Sequence, residues 1–372
     1  MQALTDLAAD HGTPLYVFDG AAARARAARL RDELGVLVRF AAKANRTPVV
    51  LEALRPAVDG VDVTSEGELE AALEAGFAGT SVSVTGPGKT DGLLQRAAET
   101  GARIAIGSVA EARRLALIAP GAEVVLRINP SLLVHAFRTR AGGAATPFGL
   151  PEEELPGALA ELAAVDVRPI GVHVHRGSQC TSVAGWMKHA ADVFDITHRL
   201  ADAIDLRVVS LGGGFGVARP GMSRLDMGLL GRRLRKAAAA FRAAHEGVTL
   251  EVEPGRWIAA DAGTLLLRVV DVRRVRGTTF VVLDGGMDAF LFACAWFRKG
   301  PPFPARNLSR RGDAGPVTLV GPACTPMDTL GEVTLALPHA GDVIAIEQAG
   351  AYAAGASLGG FLGRRAIETI VV

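Results

Sequence analysis

The sequence predicts an α/β fold, a (β/α)8 TIM barrel followed by a C-terminal β domain. Eight short apolar, β-branched runs recur between residues 38 and 255. Stretches with helical spacing separate most of them, the alternation expected of a parallel sheet. After residue 257 the helical period fades and strands separated by Gly and Pro take over.

The eight runs are VRFAAK (38–43), VDVTS (61–65), SVSVTG (81–86), RIAIGS (103–108), EVVLRIN (123–129), GVHVHRG (171–177), VVSLGGG (208–214) and LEVEPG (250–255). EGELEAALEAGF (66–77) and VAEARRLALIA (109–119) show the helical spacing between them. A doubly wound open sheet is the competing fold, and it is disfavoured because the alternation does not pause midway. Residues 130–150 contain Gly142, Gly143 and Pro147 and read as a loop over the barrel mouth. The later strands are TLLLRVVDV (264–272), TFVVLD (279–284), PVTLVG (316–321), EVTLAL (332–337) and DVIAIEQAG (342–350); the early run PLYVF (14–18) is assigned with them. The expected domains are a barrel over 20–256 and a β domain from 1–19 and 257–372.

A chain of 372 residues is ample for a large core plus a smaller domain. Forty Lys and Arg against 39 Asp and Glu leave a net charge of +1, without the basic excess of a nucleic-acid binder. No apolar run approaches bilayer length. The N-terminus MQALTDLAADHG lacks a basic segment leading into an apolar one, so no signal peptide is expected. Cys180, Cys294 and Cys324 are far apart and show no CxxC spacing, which argues against a disulfide framework or a zinc site. A cytoplasmic enzyme is the default expectation. Lysines are confined to Lys43, Lys89, Lys188, Lys236 and Lys299, which leaves few amines for chemistry.

In such barrels chemistry sits at the C-terminal strand ends, and Lys43, Asp62, Arg127, His175, Gly212–Gly214 and Glu253 all fall there. Lys43, in FAAKAN, suits Schiff-base chemistry if burial or cationic neighbours lower its pKa; a strand-capping surface lysine is the alternative. GGGFG (212–216) can bring backbone N–H groups up to a phosphate, or be a plain turn. In HVHRGSQ (173–179), alternation puts His173 and His175 on one side; a satisfied core histidine is the expectation for His173 but not for His175. Ser178 can donate to a phosphate. Glu253 of EPGR needs a buried partner, which a protonated heterocyclic nitrogen would supply. Arg256 is a surface ion-pair partner or part of a phosphate site. Cys324 of GPACTPMD is a buried small apolar residue or lies in an ordered loop ending at Asp328. In AGAY (349–352), Tyr352 is one of two tyrosines.

Taken together, these motifs resemble the fold-type III pyridoxal-phosphate decarboxylases, a family with an alanine racemase-like barrel that includes diaminopimelate and ornithine decarboxylases. The resemblance runs from TPLYVFD (13–19) to AGAY and takes in AAKAN (41–45), VDVTSEGELEAAL (61–73), TGPGK (85–89), PFGL (147–150), HVHRGSQ, GGGFG, EPGR, DGGM (284–287) and GPACTPMD. It implies that Lys43 carries pyridoxal 5′-phosphate through its amine and that His175 stacks on the ring. Ser178, Gly213, Gly214, Gly255, Arg256 and Tyr352 would surround the phosphate, and Glu253 would meet the pyridine nitrogen. Asp62 and Arg127 would hold Lys43 in place. It further implies a homodimer in which Cys324 and Asp328 reach the other subunit's active site, with Cys324 as proton donor. Glu253 favours decarboxylation over racemisation, because an acid keeps the ring nitrogen protonated and the electron sink strong. A racemase, or a non-catalytic homologue binding the cofactor, is the alternative.

Three departures bear on the substrate. The family has an acidic residue after the cysteine to meet a distal ammonium; here it is Thr325. DAFLFACAWFRKG (288–300) departs from diaminopimelate-type sequences, and GASLGGFLG (355–363) lacks the asparagine after phenylalanine. CTPMD with FLG is closer to the branch that includes the decarboxylase of carrier-protein-bound glutamate. The expected substrate is therefore an amino acid without a free distal ammonium, carrier-linked or otherwise modified, contacted by Thr325 and Asp328; free diaminopimelate, ornithine or lysine is the alternative. Arg176 stands where the family has an apolar residue. It is expected either to bind a substrate carboxylate or phosphate or, as alternation favours, to point outward.

Overall fold

The computed structural model describes residues 3–143 and 145–372. The chain divides into two compact units. A barrel unit comprises Arg24–Val217 and Arg224–Trp257; a β unit comprises the chain up to Ala23, Ala218–Ser223 and Ile258–Val372. The short excursion 218–223 joins the β unit because the Arg219 guanidinium sits 4.6 Å from the Phe303 ring centre and Gln348 Nε2 donates to the Ala218 carbonyl at 3.0 Å.

The barrel strands are β1 Leu37–Ala41, β2 Gly60–Val63, β3 Val82–Val84, β4 Arg103–Ile106, β5 Ala122–Asn129, β6 Val167–His173, β7 Val208–Ser210 and β8 Thr249–Val252. Each pairs in parallel with the next. The ring closes where Glu251 and Val252 of β8 pair with Leu37 and Val38 of β1. This is the expected eight-stranded barrel and not an open sheet. Several helices start on side-chain caps a few residues beyond a strand end. Ser65, after β2, accepts the Glu68 N–H, and Ser108, after β4, accepts that of Glu111. Helix Met227–Ala244 is capped by Asp226.

Near its N-terminal end the barrel interior holds a buried charge cluster. Arg39 Nε donates to Glu251 Oε2 at 2.7 Å and Arg103 Nη2 to Glu251 Oε1, so one carboxylate bridges β1, β4 and β8. Gly60 makes room for this: a Cβ there would lie 2.4 Å from Arg39 Nη1.

The β unit is an eight-stranded sheet around the long strand Gly263–Val275, which pairs antiparallel with Leu15–Phe18, Thr278–Leu283 and Val343–Glu347. Leu15–Phe18 also pairs in parallel with Glu368–Val371, a strand absent from the sequence reading, as is Ala305–Asn307. Leu265, Leu267, Val281, Leu283, Leu319 and Ile344 form its buried core. Within 130–150 the structure has more order than a plain loop: Thr139–Arg140 pairs with Gly177–Ser178, and Leu150 pairs with Ile128 of β5. Among the described residues, no helix is long and apolar enough to cross a membrane.

Candidate active site

At the C-terminal end of the barrel a cavity of about 370 Å³ is lined by Lys43, Thr64, Arg127, His173, His175 and Glu253, among others. Lys43 lies in the single turn Ala42–Ala44 directly after β1. Its Nζ is 3.3 Å from Asp62 Oδ2 at the end of β2, and its side chain is 35 % exposed, toward the cavity. Asp62 is fully buried; its Oδ1 accepts from Thr85 Oγ1 at 2.9 Å and Ser83 Oγ at 3.3 Å.

Glu253 follows β8 by one residue and faces inward. Its Oε2 is 2.9 Å from His173 Nε2, and its Oε1 accepts from Ser210 Oγ at 2.6 Å. Burial alone would raise the Glu253 carboxyl, but the His173 ring, Lys43 and Ser210 outweigh it and hold the group well below the usual range, so it is ionised. Asp62 is pushed the other way, first by burial and then by the neighbouring Glu253 charge, with Lys43 pulling it back. His173 is more than a satisfied core residue: its Nδ1 is buried and has no hydrogen-bond partner.

His175 Nδ1 accepts the Gly213 N–H at 3.1 Å, which places the ring proton of the neutral imidazole on Nε2. Burial, and then the Lys43 charge, hold His175 well below its ordinary value, so it stays neutral. The Arg127 guanidinium sits 4.9 Å from the centre of the Phe148 ring. Around Gly212–Gly216 the backbone is tightly folded. A Cβ on Gly213 would lie 2.2 Å from the Glu253 carbonyl, and Gly214, at φ +89°, would meet the Gly177 carbonyl at 2.4 Å. Gly255 packs against Ala41 and Ala44 beside Lys43. Ser178 pairs with Thr139 above this turn, and Arg256 opens the short helix Arg256–Ala259.

The structure thus brings Lys43, Arg127, His175 and Glu253 to one cavity, with Asp62 buried behind Lys43. Gly213 and Gly214 lie on the turn that contacts His175, Gly255 beside Lys43, Ser178 in a short strand and Arg256 at the start of a helix. Tyr352, Cys324, Thr325 and Asp328 belong to the β unit. There Tyr352 adopts φ 59° and Cys324 is exposed. Two expectations need correction. Asp328 is not a free substrate contact: it is buried, and its carboxylate accepts the N–H groups of Met287 at 2.6 Å and Ala323 at 2.8 Å, shaping the Cys324 loop instead. Arg176 does not reach the cavity, so it binds no ligand there; it points outward as alternation favours, but into protein and not into solvent. It is 2 % exposed and donates to His189 Nδ1, the Leu132 carbonyl and Asp192. The sequence reading also missed Thr64, Phe148 and Ser210. Ser210 stands at the end of β7, where polar residues in this fold carry function.

This donor set fits pyridoxal phosphate. An amine and an ionised carboxylate face one cavity, a buried imidazole nitrogen lacks a partner, and a glycine turn beside His175 leaves its backbone N–H groups unscreened by side chains. Comparison with known proteins agrees. Residues 21–260 match the family model described as "Pyridoxal-dependent decarboxylase, pyridoxal binding domain". The chain is 33 % identical over 359 residues to diaminopimelate decarboxylase of Deinococcus radiodurans, covering 95 % of this chain and 89 % of the relative. It is 31 % identical over 381 residues to L-glutamyl-[BtrI acyl-carrier protein] decarboxylase of Niallia circulans, covering 97 % and 89 %. The crystal structure of Helicobacter pylori diaminopimelate decarboxylase complexed with L-lysine aligns with a TM-score of 0.90 at 26 % identity, covering 100 % of this chain and 94 % of that one. The chain therefore belongs to the pyridoxal-dependent decarboxylases.

Proposed function

We propose that this enzyme removes the α-carboxylate of an amino acid in the barrel cavity and that Lys43 binds the cofactor covalently there. The observation that carries this reading is the Lys43 amine and the ionised Glu253 carboxylate lining one cavity. When bound, pyridoxal phosphate supplies an electron sink for the carbanion left as carbon dioxide departs.

The chain's own residues do the rest. Glu253 holds a negative charge where the ring nitrogen would sit, and His173 and Ser210 fix that carboxylate. Neutral His175 offers a flat face for stacking. Asp62 and Arg127 orient Lys43, and Ser178, Gly213, Gly214, Gly255 and Arg256 receive the phosphate. Cys324 returns the proton to the α-carbon, across the interface of a homodimer. Exposed Phe292, Trp296, Phe297, Leu358, Phe361 and Leu362 in the β unit support a subunit contact.

Diaminopimelate is the substrate that relatives' names support most broadly. A second reading, an amino acid linked to a carrier protein, is favoured by Thr325: the Cys324 loop offers no free carboxylate for a distal ammonium, since Asp328 is spent on Met287 and Ala323. Carbon dioxide release from free diaminopimelate, lysine, ornithine and glutamate and from a glutamyl carrier protein decides between them. Preference for diaminopimelate removes the carrier reading; release from none removes both.

A further inference from the structure

The mechanism above does not use Arg176, yet this is among the largest fully buried side chains of the molecule. Alternation along the chain after β6 sends His175 to the cavity and Arg176 to the opposite face, under helix Val183–Leu200. There it joins three elements. Its Nη1 donates to the Leu132 carbonyl and its backbone carbonyl accepts the Ala141 N–H at 2.7 Å, both in the segment over the barrel mouth. Its Nη2 pairs with Asp192 on the helix, and its Nε donates to His189 Nδ1 at 3.0 Å. His189 Nε2 then donates to the Leu211 carbonyl at 2.7 Å, immediately before the glycine turn that contacts His175. A neutral His189 with its proton on Nε2 satisfies both bonds, and Phe137 and Trp186 pack edge-on against its ring.

We infer that Arg176 is a positioning residue: through His189 it ties the mouth segment 131–141 to the glycine turn and so fixes the height of the His175 ring in the cofactor cavity. The inference rests on the cofactor reading of that cavity but not on which amino acid is decarboxylated. Ala141, held by the Arg176 carbonyl, lines the cavity itself. The ion pair with Asp192 compensates the buried guanidinium, while the bonds to Leu132 and His189 set geometry.

The test separates these two contributions. Arg176→Met, alone, leaves Asp192 with a lost partner. The double variant Arg176→Met/Asp192→Leu removes both charges and is expected to recover thermal stability to near wild type. In the double variant we expect cofactor affinity, measured by titrating apoenzyme with pyridoxal phosphate, to be weaker by roughly tenfold, as for loss of a buried hydrogen-bonded anchor. Amide hydrogen exchange in 131–141 should quicken in the same protein. His189→Phe should show the same two changes with Arg176 and Asp192 intact. If the double variant regains stability and also binds cofactor and protects 131–141 like wild type, Arg176 is only a compensated core charge and the positioning role is wrong. If wild-type apoenzyme itself fails to bind pyridoxal phosphate, it is the cofactor reading of the cavity that fails.

Discussion

Glu251 and Glu253 stand two residues apart on the same strand path, both point into the barrel, and both are buried, yet they serve different ends. Glu251 meets two guanidinium groups, Arg39 and Arg103, and the cluster is saturated. Glu253 meets an imidazole and a hydroxyl, and the Nδ1 of that imidazole is left without a partner. A closed ion cluster near the N-terminal end of a barrel stabilises the fold; a carboxylate with capacity to spare at the C-terminal end can serve a ligand. The difference lies in the partners and not in residue type or depth.

The largest effect should come from removing the amine beside the unsaturated site. Lys43→Ala is expected to lose covalent cofactor and to lower decarboxylation by on the order of 10³-fold or more, with circular dichroism unchanged. Glu253→Gln preserves shape but not charge. It should lower kcat by about 10²- to 10³-fold while urea midpoints move little. Glu251→Gln should do the reverse. Leaving the buried Arg39 and the partly buried Arg103 without a counter-charge should cost about 3 kcal/mol in urea unfolding, with kcat per folded molecule retained. Equal losses of activity in the two glutamine variants would erase the contrast.

The smallest expected effect is on the pH dependence of stability. Burial holds His189 down at about 3, against an ordinary value of 6.5. Above pH 6.5 neither the native nor the unfolded chain carries that proton. Between pH 6.5 and 3 the unfolded chain binds it and the native state does not, so stability falls with acid by up to ~1.4 kcal/mol per pH unit. His189→Gln should flatten that slope in urea midpoints measured from pH 7 to 5; an unchanged slope would show that His189 is not its source.

Much of the barrel was legible because its signals are local. The eight β-branched runs and the serines capping helices after β2 and β4 are written in consecutive residues. Lys43, Arg127, His175 and Glu253 share a cavity, with Asp62 behind Lys43, because strand ends in this fold converge. What sequence alone could not show were partners chosen from other elements. Whether Arg176 faces ligand, water or protein depends on His189 and Asp192, 13 and 16 residues away, and on the Leu132 carbonyl. Asp328 had the chemistry of a substrate contact, but the Met287 and Ala323 amides that claim it lie on separate turns. Ala305–Asn307 and Glu368–Val371 are too short to show a period of two.

The most direct test is borohydride reduction of the protein reconstituted with pyridoxal phosphate, followed by peptide mapping. A single pyridoxyl modification is expected, on Lys43, with loss of carbon dioxide release in proportion to it. A modification on Lys89, Lys188, Lys236 or Lys299 instead, or none at all, would contradict it.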